Sequence, residues 1–131
     1  MLDERPPKLR AEWDDLMQRI HDANADLTER IEREGLTAEF VEAGDTLRIT
    51  IGAPGGPTYS QRVGAIKLQL DDETDQIVGV TIAEITAYAA SHQEGLGAML
   101  PALRRFGTIQ LPARSAGAEL VAQELRELVP A

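Results

Sequence analysis

From Leu36 to Ile82 the chain repeatedly places an apolar residue at every second position, and this alternation limits the folds open to it. Leu36, Ala38 and Phe40 alternate with Thr37, Glu39 and Val41. Leu47, Ile49 and Ile51 alternate with Thr46, Arg48 and Thr50. The connection Glu42-Ala43-Gly44-Asp45 reads as a turn, so the two runs form a hairpin. Ile66, Leu68 and Leu70 alternate with Lys67 and Gln69. After the acidic turn Asp71-Asp72-Glu73-Thr74-Asp75, Val78, Val80 and Ile82 return on the same face, opposite Gly79 and Thr81. Four antiparallel strands are expected, near residues 36–41, 46–51, 64–70 and 77–83, with Leu47, Ile49, Leu68 and Val80 pointing into the core. Residues 108–111 are a possible fifth. Gly52 to Pro57 reads as a loop, because its prolines and glycines oppose extended pairing.

A sheet with one apolar face needs a helical cover. Residues 1–7 read as a flexible tail ending in Pro6-Pro7, and a single long helix is expected from residue 8 to 34. Its apolar residues Leu9, Trp13, Leu16, Ile20, Ala23, Leu27 and Ile31 recur at spacings of 3 and 4, close to a heptad seam, with Met17 and Asn24 along it. Gly35 supplies the stop. Short helices follow: one from Glu84 to about Glu94 carrying Ile85, Tyr88 and Ala89; one with Pro101 in its first turn carrying Leu103 and Phe106; and one capped by Ser115 carrying Leu120, Val121, Leu125 and Leu128. The expected architecture is a single α+β domain over residues 1–131. A four-stranded antiparallel β-meander at 36–83, or five-stranded if residues 108–111 join it, is flanked by the long helix and by a helical part at 84–131.

Composition narrows function by exclusion. The chain has 131 residues, 27% of them charged, with a net charge of −9 and only 4% aromatics. An acidic field repels a phosphate backbone, so no nucleic-acid partner is expected. No run approaches the roughly 18 apolar residues of a membrane span, the N-terminus lacks the apolar stretch of a secretory signal, and the absence of cysteine suits a cytoplasmic location.

No motif carries chemistry, and no catalytic, cofactor-binding or metal-ligating residue is assigned. His21 and His92 lack a second ligand one helical turn on, where Ala25 and Leu96 stand. Asp71, Glu73 and Asp75 begin like a calcium loop, but Gln76 replaces its glycine and Ile82 its bidentate glutamate. The 52–57 segment lacks the Gly-Lys-Ser/Thr ending of a phosphate loop. Ser60, Ser91 and Ser115 lie in no nucleophile elbow, and Arg104-Arg105 reads as a solvated helix end.

The N-terminal helix is the positive signal. About 27 residues at 1.5 Å rise span some 40 Å, whereas a six-residue strand spans about 20 Å. Its apolar row either covers the chain's own sheet or overhangs it. An overhang would pair with a second copy, making Leu9, Trp13, Leu16, Ile20, Leu27 and Ile31 the association surface of a homodimer. A non-enzymatic interaction domain is the expected function. The alternative is a small-ligand-binding module or minor enzyme, with a pocket between the sheet and the 84–106 helices and Tyr88, His92 or Arg105 at its mouth.

Two segments, Asp45-Thr46-Leu47-Arg48-Ile49-Thr50-Ile51 and Asp71-Asp72-Glu73-Thr74-Asp75-Gln76-Ile77-Val78-Gly79-Val80-Thr81-Ile82, resemble a small bacterial domain family of unknown function. Its members pair Asp-x-Leu-Tyr-Ile with Asp-x-x-x-x-Ile-Val-Gly-Ile-x-Ile. The resemblance covers about residues 36–85, with Arg48 where the family has an aromatic. It implies a compact β-meander, no catalytic residues, and an antitoxin-like or chaperone-like role towards a small protein partner.

Overall fold

A computed structural model describes residues 7–52, 56–63, 66–92 and 95–128. Of the tail expected at 1–7, residues 1–6 lie outside them, as does the centre of the 52–57 loop, while Pro7 opens the first helix. In chain order the elements are α1 (Pro7–Ala23), α2 (Leu27–Glu34), β1 (Leu36–Val41), β2 (Thr46–Ile51), β3 (Thr58–Val63), β4 (Ile66–Asp71), β5 (Ile77–Ile82), α3 (Ile85–Ser91), α4 (Leu96–Phe106), β6 (Thr108–Leu111) and α5 (Ala116–Leu128). The strands form one fully antiparallel sheet in the order β3-β4-β5-β2-β1-β6.

The alternation places the four expected strands correctly except at Val78. An irregularity in the β4–β5 pairing between Gln69 and Leu70 gives the core position to Ile77 and leaves Val78, expected on the core face, half-buried at the hollow of the other face. Leu47, Ile49, Leu68 and Val80 are buried, while Arg48 and Lys67 between them are exposed. Two further strands complete the sheet at its edges. β6 pairs with β1, and β3, absent from the expected set, pairs with β4 from Thr58↔Asp71 to Val63↔Ile66. The order also differs from a meander. After β2 the chain passes to the far edge and returns through β4 and β5, so that β5 lies against β2, a Greek-key arrangement.

The single long helix is corrected to two. It ends at Ala23 and restarts at Leu27 because Asn24 turns its side chain to the sheet. Asn24 Nδ2 donates to Ile20 O at 2.8 Å and to Asp75 O at 3.0 Å. Its Oδ1 accepts from Ile77 N at 2.7 Å and from Arg30 Nη2 at 2.8 Å. Arg30 Nη1 also donates to Ile77 O at 2.8 Å. One buried amide thus joins the helix break to the start of β5. Arg126 reaches the carbonyls of Asn24 and Ala25 from α5, satisfying acceptors that the helix end leaves open.

Ile20, Leu27 and Ile31 enter the chain's own core with Leu96, Leu103, Val121 and Leu125 from the later helices. The helical side chains therefore cover one face of the sheet, giving two layers. One glycine-dependent joint serves this packing. Gly35, at φ +74°, turns α2 into β1, and a Cβ there would meet Leu111 O at 2.6 Å. Pro101 lies inside α4, not in a first turn: the helix begins at Leu96, and Pro101 removes the one intrahelical bond to Gly97 O. Phe106 at the end of α4 and Leu120 on α5 are exposed rather than core residues.

Candidate functional site

The uncovered face of the sheet holds the best-formed polar surface. Strand alternation projects Thr58, Ser60 and Arg62 from β3, Lys67 and Gln69 from β4, Gly79 and Thr81 from β5, Thr50 and Arg48 from β2, and Glu39 from β1 onto this side. Gly79 forms the floor of a shallow hollow of about 520 Å³ bounded by Arg48, Thr50, Thr58, Lys67, Gln69 and Thr81. A Cβ at Gly79 would lie 3.0 Å from Ile49 O and 3.3 Å from Gln69 Cβ, so the floor is tight as well as low.

Arg48 and Lys67 flank Thr81, since each is its cross-strand partner. Their Cα positions are therefore two strand spacings, roughly 10 Å, apart. Arg48 contacts Glu39 at 3.4 Å, with both side chains largely exposed. The Lys67 side chain makes no hydrogen bond or ion pair among the described residues. Gln69 is held in place: its Oε1 accepts from Ser60 Oγ at 2.9 Å, and its Nε2 donates to Thr58 Oγ1. The hollow thus offers two cations and several hydroxyls, and no nucleophile–base pair lines it.

The other polar groupings are occupied structurally. Glu124 on α5 accepts from the Tyr88 hydroxyl through one oxygen and from Leu96 N through the other at 2.8 Å, which satisfies an open amide at the start of α4. His92 stacks on Tyr88 at 4.1 Å and sits 3.0 Å from Tyr88 O through Nδ1. Beside them, a hollow of about 400 Å³ lies between the α3–α4 connection and α5, lined by Ser91, His92, Gly95, Leu120, Gln123, Glu124 and Glu127. The structure brings Tyr88 and His92 together here, away from the sheet, while Arg105 lies over Phe106. In the acidic turn, Asp71 Oδ1 accepts from Glu73 N and Thr74 N, which holds its carboxyl below the usual range. Among the described residues no three His, Asp or Glu side chains converge to hold a metal ion, and no helix is long and apolar enough to cross a membrane.

Comparison with protein-family models, with curated proteins and with solved structures finds no match to this chain.

Of the residues expected to form an association surface, Ile20, Leu27 and Ile31 are fully buried within the chain. Leu16 packs partly against the same core, Trp13 is half-buried, and the side chain of Leu9 lies outside the described residues. The hollow escaped sequence reasoning because Arg48 and Lys67 are distant in the chain. Only the intervening β5, with Thr81 between them, makes them neighbours.

The chain's two tyrosines give a pH signature. Burial, then the hydrogen bond to Asp75 Oδ1 at 2.6 Å, pushes the Tyr59 hydroxyl up to about 12. Burial, then the Glu124 carboxylate, pushes Tyr88 well above its ordinary value. Below the unfolded value of about 10 both states are protonated, and this contribution to stability is fully present. As pH rises, the unfolded chain ionises first, so the contribution is lost towards the folded values. Tyrosinate absorbance followed with circular dichroism should show both tyrosines still protonated where free tyrosine is half ionised. One tyrosinate per chain at that pH with the fold intact would contradict the assigned contacts.

Proposed function

We propose that the chain is a non-enzymatic interaction domain that receives an acidic segment of a partner protein on the open face of its sheet. The observation that carries this reading is the placement of Arg48 and Lys67 on either side of Thr81, over the hollow floored by Gly79. The chain as a whole carries −9. Its long-range field therefore disfavours anions in general, and a carboxylate gains only where it reaches both cations at contact distance. Threonine hydroxyls around the hollow add neutral donors for a carboxylate or an extended backbone. The N-terminal seam expected to pair two copies supports association less, since half of its six residues lie inside the chain's own core.

The test is binding of a fluorescently labelled hexaglutamate peptide, followed by polarisation. Wild type is expected to bind weakly. The double variant Arg48→Glu/Lys67→Glu should lose at least about tenfold in affinity, or roughly 1.4 kcal/mol, while its melting temperature stays close to that of wild type. Equal binding by the two proteins, or none by either, would overturn the reading.

A further inference from the structure

The two edges of the sheet are unlike. β6 is four residues long, whereas β3 runs for six, with no proline or bulge between Thr58 and Val63. Exposed edges of that kind are templates for further strand pairing. The direction of the β3 backbone follows from its hydrogen bonds. Asp72 N donates to Pro57 O at 3.0 Å, and the register that pairs Thr58 with Asp71 makes Pro57 and Asp72 a hydrogen-bonded pair. Such pairs alternate in an antiparallel ladder. Tyr59, Gln61 and Val63 therefore bond inward to β4, and Thr58, Ser60 and Arg62 turn their N–H and C=O groups outward. Among the described residues no strand lies on that side.

We infer that β3 pairs antiparallel with β3 of a second copy, centred on Ser60, to make one continuous sheet across a homodimer. The register is self-complementary: Ser60 faces its own copy, and Thr58 faces the second copy's Arg62. The three outward donors of each copy then meet the three outward acceptors of the other, the Arg62 carbonyl exchanging the exposed Gln61 Nε2 that donates to it at 3.0 Å within one chain for the second copy's Thr58 N–H. Charge fits this register too. The second copy's Arg62 lands beside Thr58 on the open face, two strand spacings or roughly 10 Å from Asp71, whose side chain shares that face. The two symmetry-related arginines stand four residues apart along the strands. At about 3.4 Å per residue they are separated by more than the Debye length of about 8 Å. Placing Arg62 opposite Arg62 would instead set like charges face to face. The pairing leaves both helical layers on one side and both open faces on the other, and it does not depend on what those faces bind.

The chain contains no cysteine, so a single introduced one reports unambiguously. Opposed residues of a hydrogen-bonded pair lie about 5.5 Å apart between Cα atoms, within disulfide range. Ser60→Cys should form disulfide-linked dimers under mild oxidation, and Thr108→Cys on the opposite edge should not. In sedimentation equilibrium the wild type should show a concentration-dependent dimer. Ser60→Pro, which removes an outward N–H and no backbone bond within the chain, only the exposed hydroxyl contact to Gln69, should raise the dissociation constant at least tenfold, as should Arg62→Glu. A wild type that remains monomeric at several hundred micromolar overturns the inference. So does equal cross-linking of the two cysteine variants, or a dimer undisturbed in a folded Ser60→Pro variant.

Discussion

Replacing Asn24 with alanine should lower the stability of the chain by about 3–5 kcal/mol, a large part of the roughly 5–15 kcal/mol that separates folded from unfolded states. The side chain bonds four partners from three segments: Ile20 O, Asp75 O, Ile77 N and Arg30 Nη2. Alanine leaves the Ile77 amide and Arg30 Nη2 without their acceptor in a buried site, although Arg30 Nη1 keeps Ile77 O. The damage is compounded at Arg30, which is only 6% exposed and whose Nε already lacks a partner. Burial holds the Arg30 pKa below its ordinary value, while the nearby Asp26 and Glu34 charges favour the ionised form. Asn24→Asp keeps the acceptor for Ile77 and Arg30 and loses only the donor, so it should cost less than alanine. Urea unfolding of the three proteins measures this ordering. A loss under about 1 kcal/mol for Asn24→Ala would contradict the network, because leaving one buried group unsatisfied already costs about 1–3 kcal/mol.

Adjacent residues on β2 should respond in opposite ways. Leu47 is fully buried and faces the helices, so Leu47→Ala should cost about 2–5 kcal/mol through lost burial and the cavity left behind. Arg48 is directed to the open face with a side chain 62% exposed, and its contact with Glu39 is a surface ion pair. Arg48→Ala should therefore change stability by no more than about 0.5 kcal/mol. Thermal denaturation of both variants tests the register, because a one-residue slip exchanges the two faces. Similar losses for the two, or a larger loss at Arg48, would show the strand to be set the other way.

The strands with complete apolar alternation, β1, β2, β4 and β5, were legible because burial of one face selects for it. β3 was not, since Thr58-Tyr59-Ser60-Gln61-Arg62-Val63 sits at an edge where only Tyr59 and Val63 turn apolar surface inward. The break in the N-terminal helix was hidden for a related reason. Asn24 occupies a position that continues the apolar row, and its partners at Asp75 and Ile77 are some fifty residues away. That break removes the 40 Å rod on which the overhang argument rested: α1 has 17 residues and α2 has 8, so neither exceeds about 26 Å. Strand order was equally hidden, because period-two alternation identifies strands without saying which lie side by side. The hollow depends on that order, since Arg48 and Lys67 become neighbours only when β5 lies between β2 and β4.

The most direct test of the open face as the binding surface is a residue-resolved one. Titrating isotopically labelled protein with hexaglutamate and following backbone amide resonances should shift Arg48, Thr50, Lys67, Gly79 and Thr81 together. Residues of the covered face, such as Ile20 and Leu125, should stay in place, and the shifts should disappear in Arg48→Glu/Lys67→Glu. Shifts confined to the helical layer, or unchanged in the double variant, would contradict the account.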